Sequence, residues 1–296
     1  MPVSLERVAI AGSAGQLGRE LARAFGKHAI PLERQDLDVT DAESIATVLR
    51  RFRPTVLIDA AAYHDLAECE LHPERAFEVN AVAVARLTSA CDLAECAFAY
   101  VSTDYVFDGS ARRPYLESDE PHPLSVYGVS KLAGERLTLR NPSAYVFRTS
   151  GLYAVGGSRH KGATFVERII RQAQADEPIR VVDDVTFSPS YAPHVAAQIH
   201  AILARGAPGG VYHVTNAGAC TWYEFARAAL RVAGYDREIA AVSHTAFDTS
   251  VRRPLYSALD HGAIRKAGVA EPPPWIEGLT AYVASAELGS DSRARS

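Results

Sequence analysis

The sequence lacks the patterns that mark several classes of protein. It has four cysteines but no CxxC pair, ten histidines but no HExxH, and no run of the roughly 18 to 20 apolar residues that span a bilayer. No cationic and apolar leader opens the chain, and 31 Lys and Arg against 35 Asp and Glu give a net charge of −4 with no long basic run. We therefore expect a cytoplasmic protein with reduced thiols, no metal site, and neither a membrane nor a nucleic acid as partner.

What is present is the composition of a folded protein. The chain has 296 residues, of which 48% are hydrophobic and 22% charged, and this excludes intrinsic disorder and collagen-like repeats. At about 150 residues per domain, the length allows one large domain or two ordinary ones. A sizeable hydrophobic core is therefore expected.

Short apolar runs alternate with helical patterns through the first half of the chain. The run at 8–11 is typical of a strand buried on both faces, the runs at 29–32, 56–58 and 97–101 indicate the next strands, and helical spacings follow them. Thr40–Glu43 is a capping box that predicts the start of the second helix. Because a parallel connection needs a crossover, which a helix usually supplies, the alternation predicts an α/β fold with a Rossmann-type doubly wound parallel sheet.

The alternation loosens beyond Gly151 into loops rich in glycine and proline. We place the domain boundary there, with 1–150 as an NAD(P)-binding Rossmann domain and 151–287 as a smaller, mixed α/β C-terminal domain that mainly binds substrate. Some segments of the second part are allowed to return to the Rossmann core. A second capping box, Thr221–Glu224, predicts a helix start, and 288–296 is expected to be a flexible tail.

Three glycines, Gly12, Gly15 and Gly18, follow the first strand and open the first helix. In that context the pattern is informative, because Gly12 can make a tight turn and Gly15 lets backbone N–H groups approach a pyrophosphate at the positive end of the helix. The glycines therefore predict a dinucleotide site. The alternative is a tight turn that binds nothing.

The end of the second strand leaves the choice of dinucleotide open. Glu33 and Arg34 lie about 20 residues after the first glycine, where an acid accepts a hydrogen bond from the ribose 2′-hydroxyl of NAD and an arginine pairs with the 2′-phosphate of NADP. Either residue can equally be a solvated surface charge. We expect NADPH or NADH, with Asp38 as a loop or cap residue that makes one contact to the cofactor.

The strongest candidates for catalysis are Thr103, Tyr127 and Lys131. Tyr127 and Lys131 are four residues apart on a predicted helix, so both lie on one face, where an ammonium can lower the pKa of the phenol from about 10. Thr103 follows the carboxyl end of a central strand, where open α/β sheets bind ligands. The spacing also arises by chance on ordinary helices, but together with the glycine turn it predicts a proton-transfer site that faces a nicotinamide.

Several longer stretches match a known pattern. They are Gly12-Ser13-Ala14-Gly15-Gln16-Leu17-Gly18, Asp38-Val39-Thr40-Asp41, Ala60-Ala61-Ala62-Tyr63, Ser102-Thr103-Asp104-Tyr105-Val106-Phe107-Asp108-Gly109, Tyr127-Gly128-Val129-Ser130-Lys131-Leu132-Ala133-Gly134-Glu135, Arg148-Thr149-Ser150, Val211-Tyr212-His213 and Arg253-Pro254. From about Val8 to about Asp260 the chain resembles the extended short-chain dehydrogenases/reductases, and within them the dTDP-4-dehydrorhamnose reductase family. The resemblance implies reduction of the C4 keto group of a nucleotide-linked 6-deoxysugar, to give a product such as dTDP-L-rhamnose.

The resemblance also implies roles for individual residues. Tyr127 would be the acid, Lys131 its pKa partner and a ligand of the cofactor ribose, and Thr103 the group that orients the oxygen. The expected cofactor contacts, including the two charged residues after the second strand, are Gly12, Gly15, Gln16, Leu17, Glu33, Arg34, Asp38, Val39, Ala60, Ala61, Ala62, Tyr63 and Lys131. The expected substrate contacts are Thr103, Asp104, Tyr105, Val106, Phe107, Tyr127 and Arg253. The expected partner is a nucleotide sugar, and a homodimer is allowed.

Departures from the family pattern lie on the substrate side. The family commonly has Trp after Arg-Thr-Ser, where this chain has Gly151, so a large ring wall is missing or is supplied from elsewhere. Tyr256 replaces a common asparagine, Asp184-Val185 stands where the family has Asp-Gln, and a lysine common after Tyr63-His64 is absent.

Two other functions remain open at this point. One is a non-catalytic NAD(P)-binding regulatory subunit that resembles the β subunit of a methionine adenosyltransferase, although such a binder has no need of Thr103, Tyr127 and Lys131. The other is a sugar-nucleotide dehydratase or epimerase. Family dehydratases usually follow the threonine with Asp-Glu, whereas this chain has Asp104-Tyr105, so elimination is disfavoured.

Overall fold

A parallel sheet forms the centre of the computed structural model, which describes residues 4–157, 162–247 and 250–288. The strands in chain order are β1 (Val8–Ala11), β2 (Ala29–Leu32), β3 (Val56–Asp59), β4 (Ala97–Thr103), β5 (Tyr145–Thr149), β6 (Leu152–Tyr153), β7 (Arg180–Val182), β8 (Thr186–Phe187), β9 (Ser190–Tyr191), β10 (Gly210–His213), β11 (Cys220–Thr221) and β12 (Ala240–Val242). Six of them form one parallel sheet in the order β10-β5-β4-β3-β1-β2. The predicted Rossmann-type fold is confirmed. Of the predicted tail, 289–296 lie outside the described residues.

Helices cover both faces of this sheet. They are α1 (Gln16–Phe25), α2 (Ala42–Phe52), α3 (Leu66–Leu71), α4 (Pro73–Phe77), α5 (Ala83–Leu93), α6 (Val126–Thr138), α7 (Phe165–Gln174), α8 (Ala192–Ala204), α9 (Trp222–Val232), α10 (Gly262–Lys266) and α11 (Trp275–Ser285). Val8 and Ile10 of β1 share one hydrophobic cluster with Leu21 of α1, while Ala9 shares another with Ile45 of α2. Because β1 has no exposed face, its sequence is a continuous apolar run. Within the described residues, no helix combines the length and the apolar character needed to cross a membrane.

The hydrophobic residues packed on the central sheet are called the first core here, and the chain passes between this core and a second one. After β5 it enters a second core, which is built around α7, α9 and α11 and contains Phe225 and Tyr282. It then returns to the first core, because α8 packs on α1 and β10 pairs with β5 at the edge of the central sheet. The change of core comes just after Gly151, because Leu152 still packs against the first core and Tyr153 belongs to the second.

One predicted capping box is confirmed and the other is wrong. The Thr221–Glu224 box is reciprocal, with hydrogen bonds of 3.1 and 2.8 Å, and begins α9. At α2 the cap is Asp41, whose carboxylate accepts from the backbone N–H of Glu43 at 2.9 Å. Thr40 instead donates both its N–H and its hydroxyl to Asp38. A carboxylate is a stronger hydrogen-bond acceptor than a hydroxyl, which explains why the N-cap of α2 is Asp41 and not Thr40.

Candidate active site

The predicted site residues meet at the carboxyl edge of the central sheet. Gly12 follows β1, Ala60 follows β3, Thr103 ends β4 and Ser150 follows β5. Because parallel strands end at one edge, residues that are far apart in sequence lie together there. A cavity of about 530 Å³ opens beside this edge, and Asp104 lies in its lining.

The glycine turn has the geometry that a dinucleotide requires. Gly12 has a φ of 72°, and a Cβ there would lie 2.8 Å from the backbone nitrogen of Ala61. A Cβ at Gly18 would lie 2.2 Å from the carbonyl oxygen of Gly12, so both positions need glycine. Gly15 caps α1, and the adjacent Gln16 has a buried Oε1 atom with no hydrogen-bond partner among the described residues. The glycines leave the backbone of this turn accessible, and the Gln16 Oε1 atom still needs a hydrogen-bond donor. Both features are compatible with a polar ligand at the N-terminus of α1.

The predicted residues after β2 are arranged around Asp38. Its carboxylate accepts from the backbone N–H of Thr40 at 2.9 Å and from the hydroxyl at 2.6 Å, and these hydrogen bonds lower its pKa. Asp38 therefore shapes the turn. The Arg34 side chain is 88% exposed, with its Nε 3.8 Å from the Asp38 carboxylate, while Glu33 is half-buried and Val39 is buried. An exposed guanidinium at the end of β2 can reach a ligand along this edge.

Asn80 ties the segment after β3 to α6, and sequence reasoning did not identify it. The segment from Ala60 to Tyr63 is half-buried. The Asn80 side chain accepts from the Tyr63 N–H at 3.0 Å and donates to the Tyr63 carbonyl at 2.9 Å and to Ser130 Oγ at 3.0 Å. Asn80 is fully buried in a π-helical turn, Glu78–Val82, that lies between α4 and α5. A π-turn has no reliable sequence signal, although it often marks a functional position.

Tyr127 lies beside Thr103, as predicted, because α6 begins close to the end of β4. Ser125 caps α6 by accepting from the Gly128 N–H at 3.2 Å, and a Cβ at Gly128 would lie 2.3 Å from the carbonyl oxygen of Tyr105. Burial raises the pKa of Tyr127, and a hydrogen bond with Thr103 opposes that effect. The expected lowering of this pKa by Lys131 is therefore wrong for this structure, because burial dominates.

Lys131 is directed at the sheet. It is 1% exposed, donates from Nζ to the Val101 carbonyl at 2.6 Å, and lies 3.9 Å above the centre of the Tyr100 ring. Burial lowers the pKa of Lys131 to about 8, against the opposing charges of Asp59 and Glu135. Asp59, at the end of β3, is itself buried, and burial raises its pKa to about 6. The lysine is thus a buried cation that depends on two buried carboxylates.

Asp104 is a buried carboxylate that no cation contacts among the described residues. It accepts hydroxyl hydrogen bonds from Ser150 at 2.8 Å, Ser257 at 2.5 Å and Thr103 at 3.1 Å. Burial nevertheless raises the pKa of Asp104 to about 6. Its three partners come from β4, the loop after β5 and the C-terminal part of the chain, so Asp104 joins the segments that surround the cavity.

The remaining predicted substrate residues fall into two groups. Tyr105 packs edge-on against Tyr127, with ring centroids 6.1 Å apart, and lines the cavity. Burial raises the pKa of Tyr105 to about 12, while the charge of the exposed Arg253 opposes the rise. Val106 and Phe107 have no exposed surface. These two side chains pack behind the cleft, in a cluster with Tyr115 and Leu259, which corrects the expectation that they contact substrate.

A buried ion pair beneath the site was also missed. Arg148 donates to both carboxylate oxygens of Glu135, at 2.9 and 2.7 Å, and Ser102 donates to the same carboxylate at 2.5 Å. The Arg148 guanidinium lies 3.4 Å from Nε2 of His213, whose pKa burial lowers strongly. Arg148 and Glu135 stand on β5 and α6, so the pair locks α6, which carries Tyr127 and Lys131, onto the sheet. The one sequence signal is an arginine inside an otherwise apolar strand.

Comparisons with known proteins agree with this fold. The family described as RmlD substrate binding domain matches residues 6–288. The chain is 36% identical over 281 residues to dTDP-4-keto-6-deoxy-D-glucose reductase of Streptomyces niveus, covering 93% of this chain and 96% of that protein. It is 34% identical over 289 residues to dTDP-4-dehydrorhamnose reductase of Streptomyces griseus, covering 94% and 93%. A crystal structure of dTDP-4-dehydrorhamnose reductase from Bacillus anthracis in complex with NADP superposes with a TM-score of 0.88 at 32% identity, covering 95% and 99%.

Proposed function

Because this chain belongs to the RmlD substrate-binding domain family, we propose that it is a dTDP-4-dehydrorhamnose reductase, an NAD(P)H-dependent enzyme that makes dTDP-L-rhamnose. The observation that carries the proposal is the meeting of Thr103 and Tyr127 with the glycine turn at one edge of the sheet. A passive binder has no use for a buried phenol beside a hydroxyl at that place. The relatives named as reductases further favour an enzyme over the regulatory subunit.

The chemistry assigns one task to each of three side chains. A bound NADPH or NADH supplies the hydride that adds to C4 of the sugar. Tyr127 donates its phenolic proton to the C4 oxygen, and its raised pKa keeps it protonated at neutral pH, which is the form that a reduction needs. Thr103 orients the same oxygen. Lys131, whose pKa burial lowers to about 8, is proposed to hold the cofactor ribose rather than to lower the pKa of the phenol, and water returns a proton to Tyr127 after the reduction.

The cofactor is proposed to lie along the carboxyl edge of the sheet. Its pyrophosphate would meet the glycine turn, its adenosine the end of β2, and its nicotinamide the Thr103 side. The proposed contacts are Gly12, Gly15, Gln16, Leu17, Glu33, Arg34, Asp38, Val39, Ala60, Ala61, Ala62, Tyr63 and Lys131.

The substrate is proposed to occupy the cavity between the two cores. Asp104 and Tyr105 line this cavity and Arg253 acts on Tyr105 through its charge, so we assign these three residues to the catalytic end of the substrate and the second core to its nucleotide end. Tyr153 supports a polar ligand, because its hydroxyl is buried in the cavity lining without a partner among the described residues. The two-domain division at Gly151, a homodimer and a cytoplasmic location are further proposals, and the buried free thiols of the described residues favour a reducing compartment.

The test is a substrate panel. Purified protein is supplied with NADPH or NADH and with dTDP-, UDP- or GDP-linked 4-keto-6-deoxysugars, and cofactor oxidation is followed at the same time as the sugar product. We expect one 6-deoxysugar product per cofactor oxidised with dTDP-4-dehydrorhamnose. Reactions without sugar nucleotide measure uncoupled oxidation. Oxidation no faster than this control with every sugar would exclude the reductase and favour a binding subunit.

A further inference from the structure

The space beside Gly151 is filled by an aromatic ring from another segment. Gly151 has a φ of 50°, and a Cβ there would lie 2.4 Å from two ring carbons of Phe187. A side chain at 151 and the Phe187 ring therefore exclude each other. Phe187 is 3% exposed, so the ring is held firmly in this position.

Phe187 in turn supports Trp222. The two rings are stacked, with centroids 3.9 Å apart and an interplanar angle of 15°. Strand register explains the contact: β8 pairs with β11 so that Phe187 lies opposite Cys220, and the Trp222 N–H donates to the carbonyl of Val185 at 3.3 Å. Phe165 also contacts Trp222, with ring centroids 4.8 Å apart and an interplanar angle of 64°.

Trp222 is half-buried and lines the same cavity as Asp104. The Phe187 ring contacts both Trp222 and the Gly151 position, and Gly151 follows Ser150, the hydroxyl partner of Asp104. The contacts that lead from Asp104 to Trp222 thus run through Ser150, Gly151 and Phe187. With the sugar ring at Thr103 and Tyr127, we infer that the group at Trp222 is a part of the substrate further along.

Building on the proposed function, we propose that Trp222, supported by Phe187, is the platform on which the base of the nucleotide sugar stacks. A nucleobase is the planar group of such a substrate, and base stacking on an aromatic side chain is favourable. Arg168, whose exposed side chain lines the same cavity, has no ion pair among the described residues and is free to meet the diphosphate between base and sugar. The chain supplies its ring wall from β8 and α9, and glycine at 151 makes room for it.

Tryptophan fluorescence tests the proposal without catalysis. The sequence contains two tryptophans, so Trp275→Phe leaves Trp222 as the one indole in the protein. Titration of this variant with dTDP is expected to change the Trp222 emission and to saturate, whereas inorganic pyrophosphate leaves the emission unchanged. An emission that does not respond to saturating dTDP, with binding confirmed by calorimetry, would overturn the proposal.

Substitutions at Trp222 and Gly151 distinguish a loss of base stacking from a general loss of folding. Trp222→Leu is expected to weaken dTDP binding and to raise KM about tenfold, with kcat changed less than about threefold, while Trp222→Phe restores most of the affinity. Gly151→Ala, which pushes on Phe187, is expected to weaken dTDP binding as well. Equal dTDP affinity in Trp222→Leu and the parent protein would contradict the platform even if reduction proceeds. A failed substrate panel with intact quenching by dTDP would instead contradict the reductase alone.

Discussion

Charged groups are buried in the first core near the carboxyl edge of the sheet, whereas the second core is packed from aromatic rings. Lys131 and Asp59 are each 1% exposed, and Arg148 is 3% exposed. In the second core, the Tyr153 ring lies 5.5 Å from Phe225 and 5.2 Å from Tyr282, centroid to centroid. Buried charge costs stability unless it is paired, while ring packing contributes stability. The part of the site where the proton is transferred therefore contains buried charges that lower stability, whereas the second core contributes stability through the packing of its rings.

The largest stability effect is expected where a buried charge loses its partner. Arg148→Met leaves the Glu135 carboxylate buried with only Ser102 as donor, so we expect a loss of about 3 to 5 kcal/mol in the free energy of unfolding. Urea unfolding at pH 7 measures it. Arg136→Met is the matched control, because Arg136 pairs with Glu120 on the surface, with side chains 59% and 70% exposed, and is expected to cost about 0.5 kcal/mol or less. Equal losses of unfolding free energy in the two variants would contradict the expectation that a buried ion pair contributes more than an exposed one.

A smaller effect of opposite sign is expected at Asp104. Its folded pKa of about 6 exceeds its ordinary value, so the folded state binds the proton more tightly and stability falls as pH rises through the window from about 4 to 6. Asp104→Asn should therefore be more stable than the parent by about 1 to 3 kcal/mol above pH 6, and the difference should vanish near pH 4. Thermal unfolding at several pH values measures this.

Asp108 is the control for that pH dependence. A hydrogen bond from the backbone of Ser110 lowers its pKa, so its stabilising contribution is present at neutral pH and is lost in acid. Asp108→Asn should accordingly be less stable than the parent at neutral pH. A stability difference for Asp104→Asn that does not change between pH 4 and 7 would contradict the raised pKa of the buried Asp104 carboxylate.

The smallest expected effect is a shift in a pH profile. Lys131 faces Asp59 from β3, Tyr100 from β4 and Glu135 from its own helix, and the carboxylates raise its pKa. In Asp59→Asn the hydrogen bond from the Ala61 N–H can be kept, but the charge is lost, so the pKa of Lys131 falls. The basic limb of the pH profile of kcat/KM, expected near the Lys131 pKa of about 8 in the parent, should therefore move to lower pH in the variant. Asp36→Asn, on the exposed loop after β2, should leave the limb in place, and an unmoved limb in Asp59→Asn would contradict the coupling.

Local patterns predicted much of the fold. The apolar runs at 8–11 and 29–32 coincide with β1 and β2. β1 is covered on both faces and therefore needs apolar residues throughout, whereas β2 is an edge strand with Pro31 exposed. The glycine turn and the Tyr127 and Lys131 spacing were equally local. The sequence did not reveal the Arg148–Glu135 pair or the contact between Gly151 and Phe187, because these partners meet only through the tertiary fold. The direction of the Tyr127 pKa shift was missed for the same reason: burial is a tertiary property.

The most direct measurement of the central claim is the single-turnover rate of Tyr127→Phe. The variant keeps the ring but lacks the proton that the C4 oxygen must receive, so the rate of cofactor oxidation should fall by about 10² to 10⁴. The dissociation constants for NADPH and dTDP should stay within about twofold of the parent values, because the hydroxyl acts on the substrate oxygen alone. A rate close to that of the parent, with both ligands bound, would show that the proton comes from another group.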